Sequence, residues 1–200
     1  MKKFLLDYNL KVRLPILLFV TAVVFTITYY VSFAERNDIG YMPEQPIKYS
    51  HKLHAGEMQI DCKYCHTGVD KSRFASVPSV DICMNCHAVA RKDKPEIIKL
   101  TKYYETNTPI PWKRVHRVPD FAYFNHAAHV NKGVDCLNCH GDMRQTETVE
   151  QVKNLTMGAC IDCHKDAKNK IAVINPNNPN KIVSASQEKN GPTNCSACHR

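Results

Sequence analysis

Every cysteine in this chain belongs to one five-residue pattern, Cys-x-x-Cys-His. The five copies are Cys62/Cys65/His66, Cys83/Cys86/His87, Cys136/Cys139/His140, Cys160/Cys163/His164 and Cys195/Cys198/His199, and together they use all ten cysteines. Cysteines three apart share one side of a helical turn, so each pair aims two sulfurs the same way, and the histidine behind can set a ring nitrogen under a metal held there. That is the spacing of c-type haem attachment. Two thioether bonds fix the vinyl edges of the porphyrin and the adjacent histidine becomes the proximal iron ligand. A lone Cys-x-x-Cys also serves zinc ribbons and thiol redox proteins. Neither a zinc half-site nor a disulfide pair explains a histidine fixed after every second cysteine, and no thiol is left for a nucleophile or a redox switch.

The remaining histidines match that count. Of ten, five are proximal, and His51, His54, His116, His126 and His129 are left as candidate distal ligands for five irons. Four of these lie in His-x-x-His pairs ahead of a Cys-x-x-Cys-His motif. Met157, three residues before Cys160 where the first repeat has Val80, competes with one of them, because a thioether there would raise one haem potential above the others.

The pairs expose an internal repeat. Tyr49-Ser-His51-Lys-Leu-His54 is followed by seven residues, Cys62 to His66, a gap of 16 residues, and Cys83 to His87. Phe124-Asn-His126-Ala-Ala-His129 is followed by six residues, Cys136 to His140, a gap of 19 residues, and Cys160 to His164. This is a duplicated two-haem module, expected over 48–105 and 120–167, with a connector at 106–119 and a loop-rich tail, 168–200, holding the fifth motif.

Lys2, Lys3, Lys11 and Arg13 mark a cationic segment, 1–13, ahead of an uncharged run from Leu14 to Ala34. At about 1.5 Å per residue, that run spans the hydrocarbon core of a bilayer. Ser32-Phe33-Ala34 would pass as a signal-peptidase site, but the run is longer than a signal-peptide core, and Tyr29, Tyr30 and Phe33 resemble an interfacial aromatic belt. The expectation is therefore a retained anchor with its cationic end in the cytoplasm. The haem domain would lie on the periplasmic side of a bacterial inner membrane, behind a linker at 35–47. The anchor carries no histidine, acid or base; its work is tethering, with Thr21, Ala22, Thr26 and Thr28 available for packing against other helices. The formal charge of +8 does not point to nucleic acid. Five haems bring roughly ten propionate carboxyls that a basic chain offsets, and no dense basic run with interleaved aromatics is present.

The expected fold class is mostly irregular with short α-helices, a haem-cored multihaem cytochrome c domain behind one N-terminal transmembrane helix. Too few residues are shared among five haems for a large side-chain core. A helix is expected from Asp93-Lys94-Pro95-Glu96 to about Glu105, with Ile97, Ile98, Leu100, Tyr103 and Tyr104 on its apolar face. Pro109, Pro111 and Pro119 hold the stretch around His116 extended. The tail from Asn169 to Asn194 reads as irregular, with a short hairpin between Ile171 and Val183.

The His-x-x-His plus Cys-x-x-Cys-His modules resemble those of class III multihaem cytochromes. Pro43 to Gly56, Ile82 to His87, Trp112-Lys-Arg-Val-His116 with Pro119-Asp-Phe121 and Phe124-Asn-His126, and Thr156 to Cys160 are in turn similar to the pentahaem subunit of alternative complex III. The resemblance implies a membrane quinol oxidoreductase with an iron–sulfur protein, polytopic membrane subunits and a monohaem cytochrome c as partners, this chain relaying electrons without substrate chemistry of its own. The class III pattern implies that His51 serves the Cys62 haem and His126 the Cys136 haem, that His54 and His129 cross to neighbouring haems, and that His116 is left for the last. Two other functions compete: a stand-alone membrane-anchored quinol dehydrogenase, and a multihaem reductase with an open iron. The reductase needs a free sixth position, whereas the histidines suffice to close all five.

Overall fold

The structure is a computed structural model that describes residues 7–36, 38–175, 178–184 and 190–199. Residues 1–6 of the expected cytoplasmic segment, and parts of the tail, lie outside the described residues. The chain divides into two units, Met1–Asp38 and Ile39–Arg200.

The first unit is helical. A widened turn, Asn9–Arg13, leads into α1, Leu14–Arg36, and the Leu14 N–H closes that turn on the Asn9 carbonyl. Pro15 follows and has no N–H to extend a regular ladder. From Asn9 to Ser32 the helix is long and apolar enough to cross a membrane. Thr26 returns its hydroxyl to the Ala22 carbonyl at 2.8 Å, which satisfies the polar group within the helix itself.

In the second unit, short helices alternate with irregular backbone. In chain order they are α2 (Cys62–Cys65), α3 (Val80–His87), α4 (Pro95–Glu105), α5 (His126–Val130), α6 (Leu137–His140), α7 (Met157–Lys165), α8 (Ala167–Lys170) and α9 (Cys195–Cys198). A widened turn, Lys52–Glu57, follows His51. The expected helix before Glu105 is present, with Pro95 in its first turn where a missing N–H costs nothing. The expected hairpin forms between β1 (Ala172–Asn175) and β2 (Asn178–Ser184), antiparallel with Val173 opposite Val183.

The side-chain core is as small as expected. Among the described residues, seven apolar residues are buried and no side chain is completely so. Ile47, Leu100 and Ile110 form the one buried cluster, flanked by Val80, Cys83, Met84, Ile97, Tyr103 and Trp112. It lies under α3 and α4, beside the second motif. Gln45 ties the linker to the connector by donating to the Lys113 carbonyl and accepting from the Lys113 N–H, both at 2.9 Å. Glu96 accepts from the Lys48 N–H at 2.8 Å, fixing the chain just ahead of the first histidine pair.

Candidate haem-binding sites

Each Cys-x-x-Cys pair sits on a helical turn, so both sulfurs face one side. Local caps set two of these turns and one of the histidine turns. Asp61 accepts from the Lys63 N–H at 2.7 Å ahead of Cys62, and Asp135 accepts from the Leu137 N–H at 3.1 Å beside Cys136. Asn125 caps α5 through the Ala128 N–H at 3.3 Å. Behind His140 the chain stops the turn at Gly141, whose φ of 75° is open to glycine at low cost.

All ten thiols are free of disulfides. Cys62, Cys86, Cys136 and Cys195 are exposed, while Cys65, Cys83, Cys139, Cys160, Cys163 and Cys198 are half-buried. Two of them also approach a cysteine of another motif. In the structure Cys86 also stands near Cys65 of the first motif, and Cys163 near Cys139 of the third. The Cys65 thiol is pushed up by burial, then by Cys62 and Cys86, and the Cys139 thiol by burial, then by Cys163 and Cys160. The backbone around both residues is tied down as well. The Cys86 carbonyl accepts from the Val89 N–H at 3.1 Å and the Ala90 N–H at 2.9 Å, and the Cys163 carbonyl accepts from the Asp166 N–H at 3.1 Å.

The histidines share one device. Ring Nδ1 lies against a backbone carbonyl in His66 (Ser76, 2.7 Å), His87 (Ala90, 3.2 Å), His164 (Pro192, 2.6 Å) and His199 (Phe121, 3.0 Å). The same holds for His54 (Ser50, 2.9 Å), His126 (Arg73, 2.9 Å) and His129 (Asn125, 2.8 Å). A carbonyl only accepts, so Nδ1 carries the proton and Nε2 offers its lone pair, the tautomer that metal-ligating histidines present.

The two His-x-x-His turns are built alike. Tyr49 stands edge-on to His51 (4.8 Å, 86°) and stacks on His54 (4.5 Å, 24°). Phe124 stands edge-on to His126 (4.8 Å, 89°) and stacks on His129 (4.6 Å, 26°). One aromatic ring thus sets both imidazoles of each pair. The sequence signal was the aromatic residue opening each repeat.

Three of these histidines face a proximal one across a gap. Ring centroids are 6.4 Å apart and nearly parallel (7°) for His126 and His140, 6.2 Å apart for His54 and His87, and 5.9 Å apart for His129 and His164. Two imidazoles on opposite sides of one metal, with bonds of about 2 Å and each nitrogen about 1.2 Å from its ring centre, would have centroids about 6.3 Å apart. The donor set therefore fits a six-coordinate haem iron between each pair. His51 lies close enough to His66 for the two rings to influence each other electrostatically.

Burial favours the neutral, ligating form of four of the imidazoles. It pushes His51 down to about 4, with His66 and His54 adding to the effect, and His140 down to about 3, with His116 and His126 adding. His116 and His129 are also lowered, first by burial. His116 meets the ring of His140 edge-on at 4.3 Å and 82°. The Nε2 of His116 is buried with no hydrogen-bond partner, as befits an atom held for a metal; the Nδ1 of His51 is likewise buried and unpartnered, so no carbonyl fixes its tautomer. Met157 is 65% exposed at the start of α7. Among the described residues, no three His, Cys, Asp or Glu side chains converge as a closed metal site.

Residues 30–114 match the class III cytochrome c family, and residues 122–200 match cytochrome c7 and related cytochromes c. This is a multihaem cytochrome c fold. Covalently bound haem c comes with it. The multihaem cytochrome c subunit of a menaquinone reductase from Nitratidesulfovibrio vulgaris is similar too, 29% identical over 156 residues that cover 68% of this chain and 74% of that protein. Sequence reasoning did not find the Gly191–Pro192 strand that packs on His164. A Cβ on Gly191 would lie 2.6 Å from the His164 ring, and only the bare glycine in an otherwise irregular tail hinted at it.

Proposed function

We propose that this multihaem cytochrome c carries five haems and relays electrons between a membrane quinone pool and a periplasmic redox partner, as a subunit of a quinone oxidoreductase complex. The observation that carries the reading is the facing of His126 on His140, His54 on His87 and His129 on His164, each at the separation one iron requires. The haems would be held by Cys62 with Cys65, Cys83 with Cys86, Cys136 with Cys139, Cys160 with Cys163 and Cys195 with Cys198. His66, His87, His140, His164 and His199 would be proximal. His51 would close the Cys62 iron, His54 the Cys83 iron, His126 the Cys136 iron and His129 the Cys160 iron. His116, with its unpartnered Nε2, remains the histidine for the fifth.

The haems would supply one-electron couples, and two histidines on an iron leave no position for a substrate. The chain's own residues do the rest: carbonyls fix the tautomer of seven imidazoles, aromatic rings set the planes of the two histidine pairs, and burial favours the neutral form of His51, His116, His129 and His140. The helix Asn9–Ser32 would tether the domain to the inner membrane, with the haems on the periplasmic side. The partners would be those of alternative complex III: an iron–sulfur protein, polytopic membrane subunits and a monohaem cytochrome c. That resemblance implies flow outward from quinol. The similar protein's name favours the opposite flow, toward menaquinone.

A pyridine haemochrome assay on the purified chain should give five haems c, and the ferric protein should be low-spin. A count below five, or stoichiometric zinc, refutes the reading. In the isolated complex, reduction of these haems by added quinol, and not by a reduced periplasmic cytochrome, would fix the direction as outward.

A further inference from the structure

The two modules are packed on each other by a reciprocal exchange of contacts that the repeat makes legible. Positions in the histidine turns correspond by an offset of 75 residues (His51 with His126), and positions around the motifs by an offset of 74 (His66 with His140). The Lys52 N–H donates to the Thr146 carbonyl at 3.0 Å, and its counterpart, the Ala127 N–H, donates to the Ser72 carbonyl at 3.1 Å. Ser72 and Thr146 are themselves counterparts, six residues beyond His66 and His140. A Cβ on Gly56 would collide with the Arg144 carbonyl oxygen, and its counterpart Asn131 donates to the Asp70 carbonyl at 3.0 Å. Asp70 and Arg144 correspond as well. Each module therefore lays its histidine turn on the loop behind the other's first motif.

Such an exchange is the signature of a two-fold relation, in which a residue meeting its own counterpart lies on the axis. Cys62 and Cys136 are that pair, and their thiols lie close enough together to influence each other. In the mature protein both sulfurs are thioethers, so what persists is their adjacency.

The other motifs line up outward from this centre. His54 of the first turn faces His87, and Asn85 of the second motif donates to the Tyr64 hydroxyl of the first at 3.1 Å. His129 of the second module's turn faces His164. Beyond α7, the tail returns over His164 through Gly191 and Pro192, and Cys198 lies within the electrostatic reach of Cys160.

We propose that a pseudo-two-fold axis between Cys62 and Cys136 sets the five haem sites in the spatial order Cys83, Cys62, Cys136, Cys160, Cys195, so that the first motif in the chain is second along the path. The ends of the path are then the Cys83 and Cys195 sites, and every electron that crosses between the modules passes the Cys62–Cys136 junction. This order rests on the five-haem reading above.

The test starts from purified protein with its haems counted. The double variants Cys83→Ser/Cys86→Ser and Cys62→Ser/Cys65→Ser each remove one haem, and redistribution among the rest is followed optically after a pulse of photoreductant. Loss of the Cys83 haem should leave four that equilibrate as one group. Loss of the Cys62 haem should strand the Cys83 haem, which should lag the other three at least tenfold. If the Cys83 variant is the one that splits, the path follows chain order and the proposal is overturned. Should the Cys62 variant not accumulate, Gly56→Val, which wedges the junction at the Arg144 carbonyl, should keep five haems while slowing exchange between the halves at least tenfold. Unchanged exchange there overturns the proposal. A native haem count below five refutes the functional reading itself, whereas five haems with the wrong split refutes only the order.

Discussion

Gly191→Ala probes how the tail governs His164, a proposed haem ligand from outside it. The added Cβ would lie 2.6 Å from His164 Cγ, 2.8 Å from Cδ2 and 2.9 Å from Nδ1, where ordinary contact begins at 3.4 Å, so the strand must retreat by 0.8 Å. Two bonds hold it there: His164 Nδ1 to the Pro192 carbonyl at 2.6 Å and the Gly191 N–H to the His164 carbonyl at 2.9 Å. A retreat of that size stretches or bends both, and a net worth of about 0.5–1.5 kcal/mol each gives a destabilisation of about 1–3 kcal/mol. The ring bond matters for electrons too. An Nδ1–H donating to a carbonyl makes the imidazole a stronger donor, which favours the oxidised iron. If about 1 kcal/mol of that preference is lost, one haem potential should rise by roughly 40 mV, since tenfold in equilibrium is about 59 mV for one electron. Spectroelectrochemical titration reads the shift and thermal unfolding reads the stability. A variant whose potentials and unfolding both match the parent would refute the cradle.

Three further outcomes follow from the same residues. Met157→Ala should leave the oxidised near-infrared spectrum without any lost sulfur-to-iron band, because His129 faces His164; loss of such a band would make Met157 a ligand. Leu100→Ala removes a side chain only 4% exposed from the Ile47–Leu100–Ile110 cluster and should cost about 2–4 kcal/mol in unfolding free energy with five haems retained; loss of haem would show that the cluster holds the second site and does not merely support it. The intact protein should partition into detergent and begin upstream of Glu35; a mature N-terminus at Glu35 would show that the apolar segment is cleaved.

The proposed attachment residues were legible because covalent chemistry demands fixed spacing: a thioether pair and its histidine tolerate no insertion. The paired histidines and their aromatic platform were legible because the repeat printed them twice, at Tyr49 and at Phe124. Pro95 and the apolar face behind it announced the helix Pro95–Glu105. What the sequence hid was the assembly. Spacing ties Cys86 to Cys83 and Cys163 to Cys160, but it carries no sign that Cys86 neighbours Cys65 or that Cys163 neighbours Cys139. The junction rests largely on the main-chain carbonyls of Ser72, Arg144 and Thr146, which any residue supplies, so little beyond Gly56 and the Asn131 amide records the pairing. His116 was legible as a candidate ligand, but its place in the fold was hidden for a related reason. Its connector is extended and proline-bound, and where an extended segment crosses the fold depends on both modules it joins, which is how its ring comes to rest against His140.

The exchanged bonds between the modules also bear on how the chain matures. Lys52 and Thr146 are 94 residues apart, and Ala127 and Ser72 are 55 apart. A chain is made from its N-terminus at roughly 5–20 residues per second, and contacts between distant residues wait for the later one to appear. The first histidine turn is therefore finished as sequence several seconds before the backbone that covers it exists. During that interval its imidazoles stand open to whatever machinery inserts the porphyrin, and they close only when the second half arrives.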